Sequence, residues 1–272
     1  MIRDLHSHST ASDGVLSPTE LIQRAVEKNI GMLALTDHDT VAGIAEAKAY
    51  AQTQPIHFIA GVEISVLWQG KSIHLAALNI DEQHTAITTL LESQAELRQQ
   101  RAEKIAEKLA KAGVPNAYEG AKTLAEGEVT RAHFGRFLVA QGYARNDEHA
   151  FKRYLGTGKT AYVKPMWCSI EDAVQATHQA GGLICLAHPL RYKLTAKWIR
   201  RLIEDFKRAG GDGIEVTGCA QTPDQRQLLA RWAEEFDLLA SGGSDFHYPS
   251  GWIELGKGLE LPLQCKPVWE KF

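Results

Sequence analysis

The chain has 272 residues, of which 44% are hydrophobic, with 23 glycines, 9 prolines and a formal net charge of −3. Such a chain can bury a full core as a single barrel-sized domain, and its composition excludes collagen-like or disordered architectures. The mild acidity excludes a basic coat for bulk nucleic-acid binding, so any phosphate must be met by a local pocket.

The first residues carry no apolar signal-peptide core, and no stretch approaches the roughly 18 apolar residues of a membrane span. A soluble, cytoplasmic protein is expected. Cys168, Cys185, Cys219 and Cys265 lie far apart without a CxxC pair and read as reduced, mostly buried thiols.

In chain order, residues 2–6 read as a strand. Ser17, Pro18 and Glu20 form a capping box with proline at the first helical position, opening a helix to about residue 29. A short apolar strand follows at 32–36, a helix at 41–52, and strands at 57–66 and 71–80. The pattern then changes. A long charged helix spans 85–112, helical patches follow at 120–126 and 130–141, and residues 156–160 form a loop. Alternation resumes with helices at 169–179, 196–208 and 223–235 between strands at 183–187, 213–216 and 238–241. Strand–helix alternation argues for an α/β fold with a parallel sheet, open or closed into a barrel. The barrel is expected from segments 1–83 and 166–272, with 84–165 as a helical insertion that caps the substrate site.

In such folds the chemistry gathers at the carboxyl ends of strands. The polar groups there are His6 and His8, then Asp13; Asp37 and His38; Glu63; His74; His188; and Asp245 with His247. His6 and His8 are two apart, as are Asp245 and His247, so each pair shares a face of an extended segment. A lone strand histidine is ordinarily a satisfied core residue. Six histidines and three carboxylates at successive strand ends are another matter, because burying them without a cation is costly. Imidazole and carboxylate without thiolate suit hydrolytic divalent ions, and so many donors imply two or three of them, with Glu63 able to bridge. Asp37 is expected behind this set, orienting His38 or nearby backbone.

Phosphate recognition needs fixed donors. Arg98 and Arg101 share a helix face, Arg131 and His133 begin the next helix, and Arg191 lies three residues past His188. Lys159 sits in a glycine-rich loop that lacks P-loop spacing. The six tryptophans, Trp68, Trp167, Trp198, Trp232, Trp252 and Trp269, are expected in the core, although Phe134 or Trp167 lies near enough to the site segments to stack on a base.

At these residues the chain resembles the polymerase and histidinol phosphatase (PHP) superfamily. The motifs are DLHSHSTASDG at 4–14, TDHD at 36–39, GVE at 61–63, His74, AHP at 187–189 and SDFH at 244–247. The resemblance implies a distorted (β/α)₇ barrel and a trinuclear metal centre. It would assign His6, His8, Glu63 and Asp245 to one ion, Asp13, His38 and His247 to a second, and Glu63, His74 and His188 to a third. Mn²⁺ is the expected ion, with Zn²⁺ or Fe²⁺ also suited. The arginine-bearing insertion is similar to that of the subgroup of 3′,5′-nucleoside bisphosphate phosphatases and ribonuclease AM-type 5′→3′ exoribonucleases. The substrate so implied is a bisphosphonucleotide or a short 5′-phosphorylated RNA, with no membrane and no obligate protein partner. Competing expectations are a histidinol-phosphate-type phosphomonoesterase, a non-catalytic metal-binding regulatory module, and metal-dependent amide hydrolysis.

Overall fold

A computed structural model describes residues 1–272. Seven strands lie in the order of the chain: β1 (Ile2–Asp4), β2 (Ile30–Leu35), β3 (His57–Trp68), β4 (Lys71–Leu78), β5 (Leu183–Leu186), β6 (Gly213–Gly218) and β7 (Leu239–Gly243). The sheet closes where β1 meets β7. Leu5 N–H donates to Gly242 O at 3.0 Å, and Ser7 bridges to Phe246 just beyond the strands. Gly243 makes this seam possible, since a Cβ there would lie 2.2 Å from His6 Cβ.

The all-parallel sheet expected from the alternation is not what forms. β4 runs antiparallel to both β3 and β5. Trp68 and Lys71 are joined by a two-residue turn, Gln69-Gly70, with both residues at positive φ. That is the type I′ pattern, whose twist matches a hairpin. The reversal matters for the site. Ser65 pairs with His74 and Glu63 with Ala76, so Glu63 and His74 are diagonal neighbours on one face. A parallel β4 would have carried His74 toward the opposite end of the barrel.

Alternation then separates the two sides of the sheet. Val62, Ile64 and Val66 of β3 join a cluster of 29 buried residues packed under the outer helices. Those helices include α7 (Ile170–Gln179), α8 (Ala196–Arg208) and α9 (Pro223–Glu235). On the other face, Ile59 and Leu78 belong to a smaller cluster with Leu5, Met32, Ala34, Cys185 and Val268. Ile59 precedes Glu63 by four residues and Leu78 follows His74 by four, so this apolar plug lies beneath the polar groups on the same face. The helices α1 (Pro18–Glu27) and α2 (Ile44–Ala51) cover β2.

Between β4 and β5 come α3 (Thr85–Lys111), α4 (Ala117–Lys122), α5 (Arg131–Ala140) and α6 (Asp147–Ala150). A five-residue π-helical turn, Phe151–Leu155, follows α6; neither element has a clear signal in the sequence. These helices own a core of 15 buried residues, all between Ala102 and Ala161. Yet Ile87 and Leu91 of α3 pack into the barrel's core. One helix, roughly 40 Å long at 1.5 Å per residue, thus belongs to both units. Gln94 and Arg98, at its middle, pin it to the barrel rim.

Candidate metal centre and flanking clefts

β1 and the loop after it deliver His6, His8 and Asp13. His38 follows β2, Glu63 and His74 stand on the hairpin, His188 follows β5, and Asp245 and His247 follow β7. All nine meet in one place. His6 Nε2 lies 3.1 Å from His8 Nε2 and 3.3 Å from Glu63 Oε1. His8 Nε2 is 3.1 Å from Asp245 Oδ1, and His247 Nε2 is 3.1 Å from Asp13 Oδ1. Glu63 Oε1 also faces His74 Nδ1 at 3.0 Å and His188 Nε2 at 2.9 Å, while Glu63 Oε2 lies 2.7 Å from His38 Nδ1.

Three groups of donor atoms lie within 4.8 Å of one another: His8, Asp13, His38 and His247; His6, Glu63, His188 and Asp245; and His38, Glu63 and His74. They differ from the sets implied by resemblance in placing His8 beside Asp13, His188 beside His6, and His38 with Glu63 and His74. Glu63 is central in both divisions.

The donor atoms suit cations better than they suit each other. His8 Nδ1, Asp13 Oδ1, His38 Nδ1, Glu63 Oε2 and His188 Nδ1 are all buried and make no well-directed hydrogen bond, although His38 Nδ1 and Glu63 Oε2 approach to 2.7 Å and Asp13 Oδ1 comes within 3.1 Å of His247 Nε2. Burial works to raise Glu63, but His38, His74 and His6 outweigh it and hold the carboxyl well below its usual range. Asp245 is likewise held low against burial by His247 and His6, and Asp13 by His247 and His38. The imidazoles diverge. Burial, with His247 and His38 nearby, drives His8 down to about 3. His247 is lifted against burial by Asp13 and Asp245 to about 10. Protons cannot satisfy these neighbours together, whereas divalent ions shared among imidazole and carboxylate donors can.

A ring of residues fixes the donors. Glu215 on β6, 3% exposed, holds His6 Nδ1 at 2.5 Å through Oε1, and its Oε2 accepts the His188 N–H at 2.6 Å. Tyr192 Oη accepts the His74 N–H at 3.0 Å and donates to Ala187 O at 2.8 Å, tying β4 to the His188 turn. Asp37 does not orient His38 but takes the other expected part and holds nearby backbone. It accepts from Ser9 N–H, Ser9 Oγ and Ser12 Oγ, and so shapes the loop that carries Asp13. Glu215 and Tyr192 escaped the sequence reading because neither follows a motif; the polar residue in the apolar run GIEV was the available signal for Glu215.

Two clefts flank the cluster. One, of 110 Å³, is lined by Asp13, His38 and His74 together with Arg98, Arg101, Arg131 and Trp167. The other, of 330 Å³, shares His188 and Asp245 with the cluster and carries Arg191. The guanidinium carbons of Arg98 and Arg101 lie 5.1 and 5.3 Å from the centre of the Trp167 ring. Arg98 is neutralised: Asp39 Oδ2 accepts from its Nε at 2.8 Å, and Ser65 Oγ from its Nη2 at 3.0 Å. Arg101 has no carboxylate partner; its Nε donates to Val163 O. Burial, then Arg131 and Arg98, push Arg101 down to about 9. Crowded, half-desolvated cations of this kind are a preformed anion site.

His133 is not on either cleft's wall. It is buried, its Nδ1 accepts the Thr130 N–H at 3.1 Å in a capping box, and burial pushes it down to about 4. Phe134 is fully buried and offers no stacking surface. Trp68, Trp167 and Trp232 are buried as expected, but Trp198 is 41% and Trp252 79% exposed.

The PHP domain model matches residues 4–237. The chain belongs to the PHP domain family. It is 60% identical over 269 residues to a 5′-3′ exoribonuclease of Haemophilus influenzae, covering 99% of this chain and 98% of that one. It is 41% identical over 271 residues to a 3′,5′-nucleoside bisphosphate phosphatase of Chromobacterium violaceum, covering 98% and 95%. A solved structure from Chromobacterium violaceum, described as an amidohydrolase with bound sulfate and no metal, superposes with a TM-score of 0.95 at 41% identity, covering 100% of this chain and 95% of that one. The PHP fold, a distorted barrel, is thereby established for this chain, and the antiparallel β4 belongs to that distortion.

Proposed function

We propose that this PHP protein is a metal-dependent phosphoesterase. It removes the 3′-phosphate of 3′,5′-bisphosphonucleotides and, by the same scission, shortens 5′-phosphorylated RNA in the 5′→3′ direction. The carrying observation is the unneutralised Arg101–Arg131 pair in a cleft walled on one side by the donor cluster. The names of the two relatives agree with it. The nine clustered side chains hold divalent ions; Mn²⁺ is the ion the family resemblance implies, and Zn²⁺ or Fe²⁺ suit the same imidazole and carboxylate donors. Such ions supply Lewis acidity and lower the pKa of water.

The chain's own residues do the positioning. Arg101 and Arg131 grip the 5′-phosphate of a nucleotide, with Trp167 stiffening Arg101 from behind. The phosphorus on the 3′ oxygen then lies at the cluster. Water oxygen bonds to phosphorus, the P–O3′ bond breaks, and O3′ leaves with a proton. With a terminal 3′-phosphate the product is inorganic phosphate. With a continuing chain, it is a 5′-mononucleotide and an RNA bearing a new 5′-phosphate. The 84–165 insertion acts as the cap that brings Arg98, Arg101 and Arg131 over the barrel mouth. Four free thiols fit a reducing cytoplasm, and no helix is long and apolar enough to cross a membrane.

The test is hydrolysis of matched 5′-phosphorylated and 5′-hydroxyl oligoribonucleotides, with bisphosphonucleotide and histidinol phosphate alongside. Loss of charge-assisted phosphate contacts worth about 1.5–3 kcal/mol predicts a roughly 10- to 150-fold lower kcat/KM on the 5′-hydroxyl chain. Arg101→Ala should erase most of that difference. Equal rates on both oligomers with the wild-type enzyme would remove the gripping pocket from the account.

A further inference from the structure

We infer that the second cleft is the exit track for RNA, and that Trp252 stacks on the base of the nucleotide just 3′ of the scissile phosphate. This rests on the phosphoesterase reading above and adds a residue that separates its two substrates. The cleft shares His188 and Asp245 with the donor cluster. The guanidinium cleft shares Asp13, His38 and His74 with it. A strand whose 5′-phosphate occupies the guanidinium side, and whose first 3′-phosphate meets the cluster, continues into the cleft on the cluster's other flank.

The chemistry of that cleft suits a nucleotide. Its 330 Å³ lies in the ~300–1,000 Å³ range of small-molecule clefts. Arg191 stands at the junction with the cluster, half-exposed and paired with Asp245. Gln221 and Gln225 also line it. Their side-chain oxygens accept from Gly218 N–H and Thr222 N–H, both at 2.9 Å, which leaves the amide NH₂ groups as donors. Trp252 completes the wall with most of its indole in solvent, unlike the three buried tryptophans. Its turn is braced: Ser250 Oγ accepts the Ile253 N–H at 2.9 Å, and Lys257 Nζ donates to Gly251 O at 2.9 Å. An aromatic face held open on a fixed turn is the sequence-tolerant base platform of single-strand binders. A bisphosphonucleotide ends at its 3′-phosphate and cannot reach it.

The experiment compares kcat/KM for a 5′-phosphorylated oligoribonucleotide with kcat/KM for adenosine 3′,5′-bisphosphate, in Mn²⁺-loaded wild type, Trp252→Ala and Trp252→Phe. Trp252→Ala should lower the RNA-to-bisphosphate ratio by about 5- to 150-fold, chiefly through KM, as loss of one base stack implies. Trp252→Phe should recover most of it. An unchanged ratio, or an equal fall on both substrates, overturns the exit track while leaving the phosphoesterase reading intact. If the wild type hydrolyses neither substrate, it is the underlying reading that fails.

Discussion

Replacing Glu215 by glutamine tests whether the donor cluster is organised from behind. The change preserves shape and removes one charge. Both groups that Glu215 faces are donors: His6 Nδ1–H at 2.5 Å and the His188 N–H at 2.6 Å. A carboxylate accepts from both, but an amide offers one oxygen and one NH₂. Glutamine must therefore abandon one partner. If it abandons His6, the ring loses the acceptor that keeps Nδ1 protonated and Nε2 free for a cation. If it abandons His188, the strained turn that delivers that ligand loosens.

Partners of this kind are worth about 10- to 100-fold in metal affinity or activity. The lost charge-assisted bond costs roughly 1.5–3 kcal/mol, which for a chain of this size lowers Tm by roughly 3–12 °C at about 2–4 °C per kcal/mol. Mn²⁺ titration calorimetry, followed by kcat at saturating Mn²⁺ and a melting curve, separates the two effects. A folded Glu215→Gln protein with wild-type Mn²⁺ affinity and wild-type kcat would refute the claim that Glu215 organises the site.

Three further outcomes follow from the geometry. Asp13→Ala and His247→Ala should each abolish hydrolysis of both substrates while circular dichroism stays native, because these groups sit at the barrel mouth and carry no core packing; full activity in either would remove that residue from the site. Arg98→Ala should destabilise the protein by about 3–5 kcal/mol in urea unfolding, since it strands Asp39, itself 3% exposed, without its cation; a change below 1 kcal/mol would show that the pair is dispensable. Gly243→Ala should cost about 1–3 kcal/mol or more by overpacking and depress activity together with stability, because the new methyl would meet His6 Cβ at 2.2 Å and His6 N at 2.7 Å; a stable, active variant would mean the seam can open without disturbing His6.

The nine clustered side chains were legible because all but Asp13 lie on, or within four residues of, a strand with a clear apolar pattern, and order along the chain was enough to bring them together. The element positions followed for the same reason, from the Ser17 capping box to the 196–208 and 223–235 helices. What failed was relational. Periodicity of two says that 71–80 is a strand but not which way it runs; the direction is fixed by Gln69-Gly70, where a non-glycine residue adopts positive φ. The four-residue α6 and its π turn carry too few positions to show a period. Arg98 and Arg101 look alike in sequence, yet only Arg98 meets a carboxylate, and that carboxylate lies 59 positions away. Trp252 reads as core by composition, but it sits on a turn after the last strand with no apolar layer left to cover it.

Three of the ten non-glycine residues at positive φ stand where the chain leaves the barrel for the site. Asp39 follows β2 at φ 50°, His188 follows β5 at φ 30°, and Asp245 follows β7 at φ 53°. Left-handed backbone costs an L-residue about 1–2 kcal/mol, and glycine would serve these turns more cheaply. None of the three could be glycine and keep the site: His188 and Asp245 are donors, and Asp39 accepts from Arg98, Gln94 and the Ser65 N–H. The sharp turns allow β2, β5 and β7 to aim the side chains that follow them back over the barrel mouth instead of along the strand. Stability and chemistry therefore oppose each other at these positions, and each turn is tied down by its own N–H: Asp39 donates to Glu63 O at 2.9 Å, His188 to Glu215 Oε2 at 2.6 Å and Asp245 to His6 O at 2.9 Å.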